Sequence, residues 1–313
     1  MQRNVVQGAA YALLCTIWGS TWFAIKVGLE STPVFFAASL RFAVAAAVLA
    51  GLLVVLGAHL PRTRAEWNLA LFAGIVLFTA DYGLIYWAEG NGVPSGLTAV
   101  LFATMPLQTA IAAHALIEEE PFTRQKMAGI GLGFAGILLI FRTQLSLSGW
   151  GLFLPMLAVL LSATCAGVVT AAERRWGREV DPIGFNVVAM AIGSTCLASI
   201  SLVTGEAWSV PPWPAGLGAV LYLSLAGSVV AFVAWNWMLR TVSATSMSFV
   251  TMITPIVALV LGAAVANEGF QPLDIAGAGV VILGIYLSGA RRLGAWTRRA
   301  RPREASSVPE SKR

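Results

Sequence analysis

The feature of this sequence that most constrains its fold is a succession of ten long apolar stretches joined by short polar connections. A helix needs about 20 apolar residues to cross the hydrocarbon core of a bilayer. The stretches cover residues 8–27, 34–57, 67–88, 94–117, 125–141, 150–172, 183–205, 215–239, 244–266 and 272–290. This pattern predicts an all-α integral membrane protein with ten transmembrane helices.

Composition agrees with this prediction. Hydrophobic residues make up 58% of the chain and charged residues 11%, and the mean hydropathy is +0.78. Soluble domains carry about 25% charged residues. The core of a 313-residue protein cannot enclose that much apolar surface, so we expect the remainder to contact a lipid bilayer. Helix-breaking residues lie in the connections, for example at Pro33 and at Asp181-Pro182, and no stretch indicates a separate soluble domain.

The distribution of basic residues predicts the orientation in the membrane. Eight of the 20 Lys and Arg follow Ala290, in a polar tail over residues 291–313. With the N-terminus in the cytoplasm, the inner segments hold 17 of the 20, the outer segments hold Lys26 and Arg142, and Arg41 lies within a helix. We therefore expect both termini in the cytoplasm. A basic tail there suits anionic lipid, so we expect no nucleic-acid partner.

The chain also aligns with itself at a shift of 149 positions. The aligned pairs are Pro33 with Pro182, Pro106 with Pro255, and Glu119 with Glu268. At a shift of 148, Gly129, Gly131 and Gly136 align with Gly277, Gly279 and Gly284. These matches predict an internal duplication, with one five-helix repeat over residues 1–145 and a second over residues 146–290.

An odd number of helices in a repeat has a mechanical consequence. The second copy enters the membrane from the opposite side, so the two repeats are inverted relative to each other. Inverted repeats are typical of secondary transporters, which bind substrate near the membrane midplane between the repeats. The predicted fold is therefore two inverted five-helix repeats around a central cavity.

Several short motifs occur in order along the chain, namely Trp18-Gly19-Ser20, Leu40-Arg41-Phe42, Tyr86-Trp87-Ala88 and Thr104-Met105-Pro106, followed by Glu118-Glu119-Glu120-Pro121 and the glycines after it. With them, the chain resembles the EamA-type members of the drug/metabolite transporter superfamily. The resemblance implies a cavity lined mainly by helices 1, 3, 4, 6, 8 and 9, and a bacterial inner membrane. It also implies export of amino acids, other metabolites or organic cations. Met190 stands where the second repeat would match Arg41, so any role of that arginine is asymmetric.

Two charges, Arg41 and Asp81, lie inside predicted helices, and each is seven residues from the outer end of its helix. Charges at a helix centre cost about 2.5–3.5 kcal/mol on insertion scales. Equal depth on consecutive helices permits an ion pair that would lower this cost. Either the pair only holds the two helices together, or Asp81 exchanges a proton during transport.

Polar and aromatic residues at helical spacing are the candidates for binding substrate. Thr79, Tyr82 and Tyr86 share one predicted face of helix 3, and Phe232 and Trp235 share one of helix 8. The full set of cavity candidates is Trp18, Thr79, Tyr82, Tyr86, Thr104, Gln108, Trp235, Asn236 and Thr254. The alternatives are a seam between helices or an aromatic belt at the membrane surface.

Other function classes find little support in the sequence. The chain lacks an arrangement of nucleophile and base, a carboxylate pair or a metal-ligand cluster, so we expect neither an enzyme nor a metal or other cofactor. It also lacks a phosphate-binding GxxxxGK loop. We therefore expect a secondary-active exporter of small molecules that works by alternating access. A membrane receptor or partner-binding subunit is the alternative, and the glycine surfaces permit a homodimer.

Overall fold

The computed structural model describes residues 2–140, 142, 150–266 and 272–296. Glu268 and most of the basic tail lie outside the described residues. Within them the chain is helical apart from short connections, with no β-strand. We label the long helical segments α1 (Gln2–Leu29), α2 (Val34–Leu56), α3 (Arg64–Gly90), α4 (Ser95–Leu116), α5 (Arg124–Ile140), α6 (Phe153–Trp176), α7 (Pro182–Val203), α8 (Ala215–Leu239), α9 (Val250–Ala266) and α10 (Pro272–Trp296).

Seven of these segments, α1 to α4 and α6 to α8, are long and apolar enough to cross a membrane. Shorter apolar helical stretches occur at Ala244–Val257 and Ile275–Ser288, around α9 and in α10. The chain is therefore a multi-pass membrane protein.

The helix ends form where the sequence places caps and breakers. The Asp181 carboxylate accepts hydrogen bonds from the backbone N–H groups of Ile183 (2.9 Å) and Gly184 (3.1 Å), with Pro182 in the first turn of α7. A side-chain cap of this kind satisfies donors that have no partner within the helix. Gly57 ends α2 with a φ of 64°, a backbone conformation that costs glycine little. The predicted breaks between helices are thus confirmed at these positions.

Helix packing follows a pattern that repeats between the two parts of the chain. The most extensive contacts join α5 to α10 and α2 to α7. The contact of α1 with α9 has its counterpart in the contact of α6 with α4, and the contact of α3 with α6 has its counterpart in that of α8 with α1. Adding five to, or subtracting five from, both helix numbers of a contact gives the helix numbers of its counterpart.

Glycines allow the closest of these contacts, between α5 and α10. A Cβ atom added to Gly284 would lie 2.4 Å from the backbone N of Gly133 and 2.5 Å from the carbonyl O of Gly129. A Cβ on Gly136 would lie 2.7 Å from the carbonyl O of Gly277. Backbones approach this closely only where side chains are absent. The aligned glycines of the two repeats therefore pack α5 and α10 closely together inside one chain.

Two π-helical segments, which the sequence analysis did not predict, interrupt α3 and α8. They cover Gly74–Asp81 and Leu225–Val230. In each, a hydroxyl donates to the carbonyl five residues earlier, from Thr79 to Gly74 (2.8 Å) and from Ser228 to Leu223 (2.9 Å). Thr79 and Ser228 are 149 positions apart, the shift of the sequence repeat. π-Helical turns are often found at functional sites.

The two prolines of the repeat behave differently. Helix α4 breaks after Phe102 and restarts at Met105, so Pro106 lies in a first helical turn. Pro255 lies inside α9, where it cannot bond the carbonyl of Thr251. The Thr254 hydroxyl donates to that carbonyl (3.1 Å) and so replaces the missing bond.

Candidate substrate cavity

A cavity lies between the helices. Side chains of α1, α3, α4, α6, α8 and α9 line it, which are the six helices that the family resemblance implied. Its mostly apolar lining with a few polar groups is typical of a site for a small organic molecule.

Six aromatic residues contribute to the cavity wall. They are Trp18, Trp22, Tyr82, Phe102, Phe232 and Trp235. Trp18 lies 5.0 Å from Trp235 and 5.3 Å from Phe232, measured between ring centroids. The Trp18 indole N–H donates to the carbonyl of Gly227 (3.2 Å), in the π-helical segment of α8. Several rings of the wall therefore pack against one another.

Four threonines line the cavity, and each hydroxyl donates to a carbonyl of its own helix. The bonds run from Thr21 to Trp18 (2.8 Å), from Thr170 to Ala166 (2.8 Å), from Thr251 to Ser248 (2.8 Å) and from Thr254 to Thr251 (3.1 Å). A hydroxyl has one proton and two lone pairs. Because the proton is used within the helix, each oxygen has lone pairs left for a solute that donates hydrogen bonds.

Asp81 supplies the charge of the site. Its side chain lines the cavity and is 1% exposed. One carboxylate oxygen accepts a hydrogen bond from the hydroxyl of Ser162 on α6. Among the described residues that line the cavity, Asp81 alone is charged. The cavity therefore combines aromatic faces, acceptor oxygens and one carboxylate.

Arg41 lies beside this cavity and has other partners. Its Nε donates to the Ser228 hydroxyl (2.9 Å) and its Nη2 to the Gly227 carbonyl (3.2 Å). Its guanidinium also stacks on the ring of Tyr82, 4.7 Å from the centroid. Both Arg41 and Asp81 are described, and no oxygen of Asp81 lies within 4.0 Å of the guanidinium. The two side chains contact different helices. The ion pair that their equal depth permits is therefore not formed in this structure.

The structure places the nine cavity candidates in two groups. Trp18, Tyr82, Trp235 and Thr254 line the cavity. The other five are Thr79, Tyr86, Thr104, Gln108 and Asn236, and they are absent from its lining.

Local hydrogen bonds explain most of the second group. Thr79 bonds the carbonyl of Gly74, Gln108 donates to the Thr104 hydroxyl (3.2 Å), and Asn236 donates to Glu173 (3.0 Å). Tyr86 is 1% exposed and packs inside the protein core.

Several residues that line the cavity were not among the nine candidates. Thr21 and Thr170 both line the cavity at a separation of 149 positions, as do Phe102 and Thr251. The same shift relates Met105 to Thr254. The internal repeat indicates these lining residues, because equivalent positions of the two repeats face the same central space.

Comparison with known proteins agrees with this architecture. The sequence profile described as the EamA-like transporter family matches residues 7–142 and 153–290. The chain belongs to this family. It is a membrane transporter. One solved crystal structure has the same fold, with a TM-score of 0.77 over 92% of this chain and 98% of that chain, at 15% sequence identity.

Several proteins that are similar to this chain are named as transporters. An uncharacterized inner membrane transporter of Escherichia coli, YedA, is 32% identical over 90% of this chain and 89% of its own length. A probable terminal-alkyne amino-acid exporter of Streptantibioticus cattleyicolor is 28% identical over 96% and 97%. A probable amino-acid metabolite efflux pump of Escherichia coli is 23% identical over 90% and 94%.

Proposed function

We propose that this chain is a secondary-active exporter of small organic molecules that carry a positively charged amino group on an apolar body. Asp81 is the observation that carries the proposal, because it is the charge that the described cavity lining presents. Aromatic faces attract cations, and the threonine oxygens accept hydrogen bonds from an ammonium group. The names of two relatives, which specify amino acids, are compatible with this chemistry, since amino acids contain an ammonium group.

For the architecture, we propose ten transmembrane helices in two inverted repeats, residues 1–145 and 146–290, followed by the cytoplasmic tail 291–313. Three observations support this proposal. The family profile matches two segments of similar length. The helix contacts map onto one another when the helix number changes by five. The two π-helical segments occur at equivalent positions.

Alternating access in the inner membrane, with both termini in the cytoplasm, completes the proposal. Polar contacts close the end of the bundle where α1 and α9 begin. Gln7 donates to Thr241 (2.8 Å) and Tyr11 to the carbonyl of Ser246 (3.2 Å). Glu120 accepts from the backbone N–H of Ala244 (3.0 Å) and lies 3.6 Å from Arg174. We assign this end to the cytoplasm from the distribution of basic residues, and in the proposed cycle these contacts separate the cavity from the cytoplasm.

A homodimer stays a prediction. The glycine surfaces that suggested it are used between α5 and α10 of the same chain, so they do not support an interface between two chains.

Three solutes that share a phenyl ring and differ in charge test the proposed substrate class. They are trimethyl(phenethyl)ammonium, phenylalanine and 3-phenylpropionate. In liposomes containing the purified protein and preloaded with the unlabelled solute, we expect counterflow of the labelled cation to be fastest. Phenylalanine should be slower, and 3-phenylpropionate should match protein-free liposomes, because the described lining has no basic side chain for a carboxylate.

The same experiment decides between the function classes. Faster movement of 3-phenylpropionate than of the cation would contradict the proposed substrate class. If none of the three solutes moves although the cation binds to the purified protein, a receptor or partner-binding subunit replaces the transporter proposal.

A further inference from the structure

A second buried carboxylate, Glu173 on α6, has no role in the cavity described above. It is 4% exposed and does not line the cavity. Asn236 on α8 donates to its Oε2 atom (3.0 Å), and Asn186 on α7 donates to the side-chain oxygen of Asn236 (2.6 Å). A hydrogen-bonded row of side chains thus joins Glu173 to two neighbouring helices.

The charged groups around Glu173 are engaged elsewhere. On its own helix, Arg174 donates to the carbonyl of Leu239 (2.6 Å) and lies near Glu120. At the end of α8, Arg240 donates to the carbonyl of Val180 (2.6 Å). Before α7, Asp181 caps the helix. From α3, the apolar Leu69 lines a pocket beside Glu173.

In the part of the chain that the structure describes, no Lys or Arg nitrogen lies within 4.0 Å of the Glu173 carboxylate. Burying a charge without a partner is costly. Proton binding, rather than an ion pair, can therefore neutralise this group.

A small second pocket lies beside Glu173. Glu173, Asn236 and Arg240 line it together with Gly177 and Val180 of the α6–α7 connection. Arg178 in that connection is exposed to solvent. Two buried polar atoms near the pocket, Arg240 Nε and Asn186 Oδ1, have no protein partner. Groups of this kind usually bind ordered water.

The other side of Glu173 is connected to the substrate cavity. The Trp235 ring of α8 lines the cavity and packs against Trp18. Asn236, which holds the carboxylate, directly follows Trp235 in α8. Movement of the Trp235 ring with the solute therefore changes the surroundings of Glu173. Conversely, a change in the charge of Glu173 affects the Trp235 ring.

We propose that Glu173 is the proton-exchange site of this transporter and that the second pocket is its access to water. A hydronium ion entering the pocket gives its proton to the Glu173 carboxylate and leaves a water molecule; the reverse step returns the proton to water after the access changes. Because a cation in the cavity is attracted by ionised Glu173 and not by the neutral acid, proton and cation disfavour each other, which is the requirement for exchange. This proposal rests on the proposed transport function.

Infrared difference spectroscopy tests proton exchange without any solute. Purified wild-type protein in liposomes is compared at acid and alkaline pH with the Glu173→Gln and Asp81→Asn variants. We expect a protonated-carboxyl band that disappears as the pH rises, is lost in Glu173→Gln and is kept in Asp81→Asn. If the titrating band is unchanged in Glu173→Gln, Glu173 is not the exchange site.

Flux measurements test the link to transport. With wild-type protein, a difference of about one pH unit across the liposome membrane should change the rate of trimethyl(phenethyl)ammonium movement by up to about tenfold, the ratio of proton concentrations. With Glu173→Gln, the rates with and without the gradient should be equal. A gradient effect that persists in Glu173→Gln overturns the proposal. Absence of cation flux in the wild-type protein would instead contradict the transport function, and the infrared result still decides the proton site.

Discussion

Replacing Asp81 by asparagine is expected to weaken the binding of trimethyl(phenethyl)ammonium about 30-fold, which corresponds to about 2 kcal/mol. The carboxylate is the charge of the described cavity lining, and asparagine keeps its shape and its contact with Ser162. The loss is thus electrostatic, and the aromatic contacts stay in place. Binding of the labelled cation to purified protein in lipid nanodiscs measures the effect.

The matched control is Glu66→Gln on the same helix. Glu66 is partly exposed in the first turn of α3, where it accepts from the backbone N–H of Arg62 (2.7 Å). Removing this carboxylate changes the net charge as much as Asp81→Asn does, but far from the cavity, so binding should stay within about twofold of the wild type. Equal losses in both variants would show that Asp81 acts only through net charge, and no loss in Asp81→Asn would exclude it from the site.

Alanine at position 284 is expected to destabilise the protein by about 3 kcal/mol, the upper end for overpacking a well-packed contact. The new methyl group would lie 2.4 Å from the backbone of Gly133 and 2.5 Å from that of Gly129. Backbone atoms cannot move aside as a flexible side chain does, so α5 and α10 must separate. The melting temperature in detergent, followed by size-exclusion chromatography after heating, should fall clearly.

Gly279→Ala is the control for this prediction because it makes the same chemical change on the same helix. Gly279 is exposed, and an added Cβ would meet no atom within 4 Å. Alanine favours helix over glycine by about 1 kcal/mol, so the melting temperature should stay the same or rise. Similar melting temperatures for the two variants would show that α5 and α10 do not pack through Gly284.

Much of the fold could be predicted from the sequence. The length of the apolar stretches sets the helices, since a bilayer fixes the number of residues needed to cross it. Residues with fixed conformational effects, such as Pro182 and Gly57, set the ends. The glycines of α5 and α10 indicated close packing because a missing side chain is visible in the sequence, but only the structure shows that these two helices pack on each other.

The directions of the side chains were harder to predict. Thr79, Tyr82 and Tyr86 share a face of an ideal α-helix, but the π-helical segment Gly74–Asp81 has more residues per turn. Side chains before and after it therefore rotate relative to one another. Tyr82 lines the cavity and Thr79 does not. The π-turn depends on the bond from Thr79 to Gly74 and on packing around it, and no short sequence motif specifies either.

The partners of the charged side chains were also hard to predict from the sequence. Counting residues gave Arg41 and Asp81 the same depth, because depth depends only on the rise of the helix. Whether two side chains meet also depends on the rotation of each helix, which tertiary packing decides. Arg41 bonds Ser228 on α8, and Asp81 bonds Ser162 on α6. Glu173 was overlooked because it directly follows the predicted apolar stretch 150–172, whereas the structure buries it beside Asn236 of α8.

Counterflow of trimethyl(phenethyl)ammonium through a variant with a filled cavity tests the central claim most directly. Thr254→Trp places a large ring among the lining residues, whereas Thr195→Trp places the same ring on the exposed surface of α7. If the solute passes through this cavity, Thr254→Trp should reduce counterflow to the level of protein-free liposomes, and Thr195→Trp should leave it unchanged. Equal counterflow in the two correctly folded variants would contradict the assignment of this cavity as the transport site.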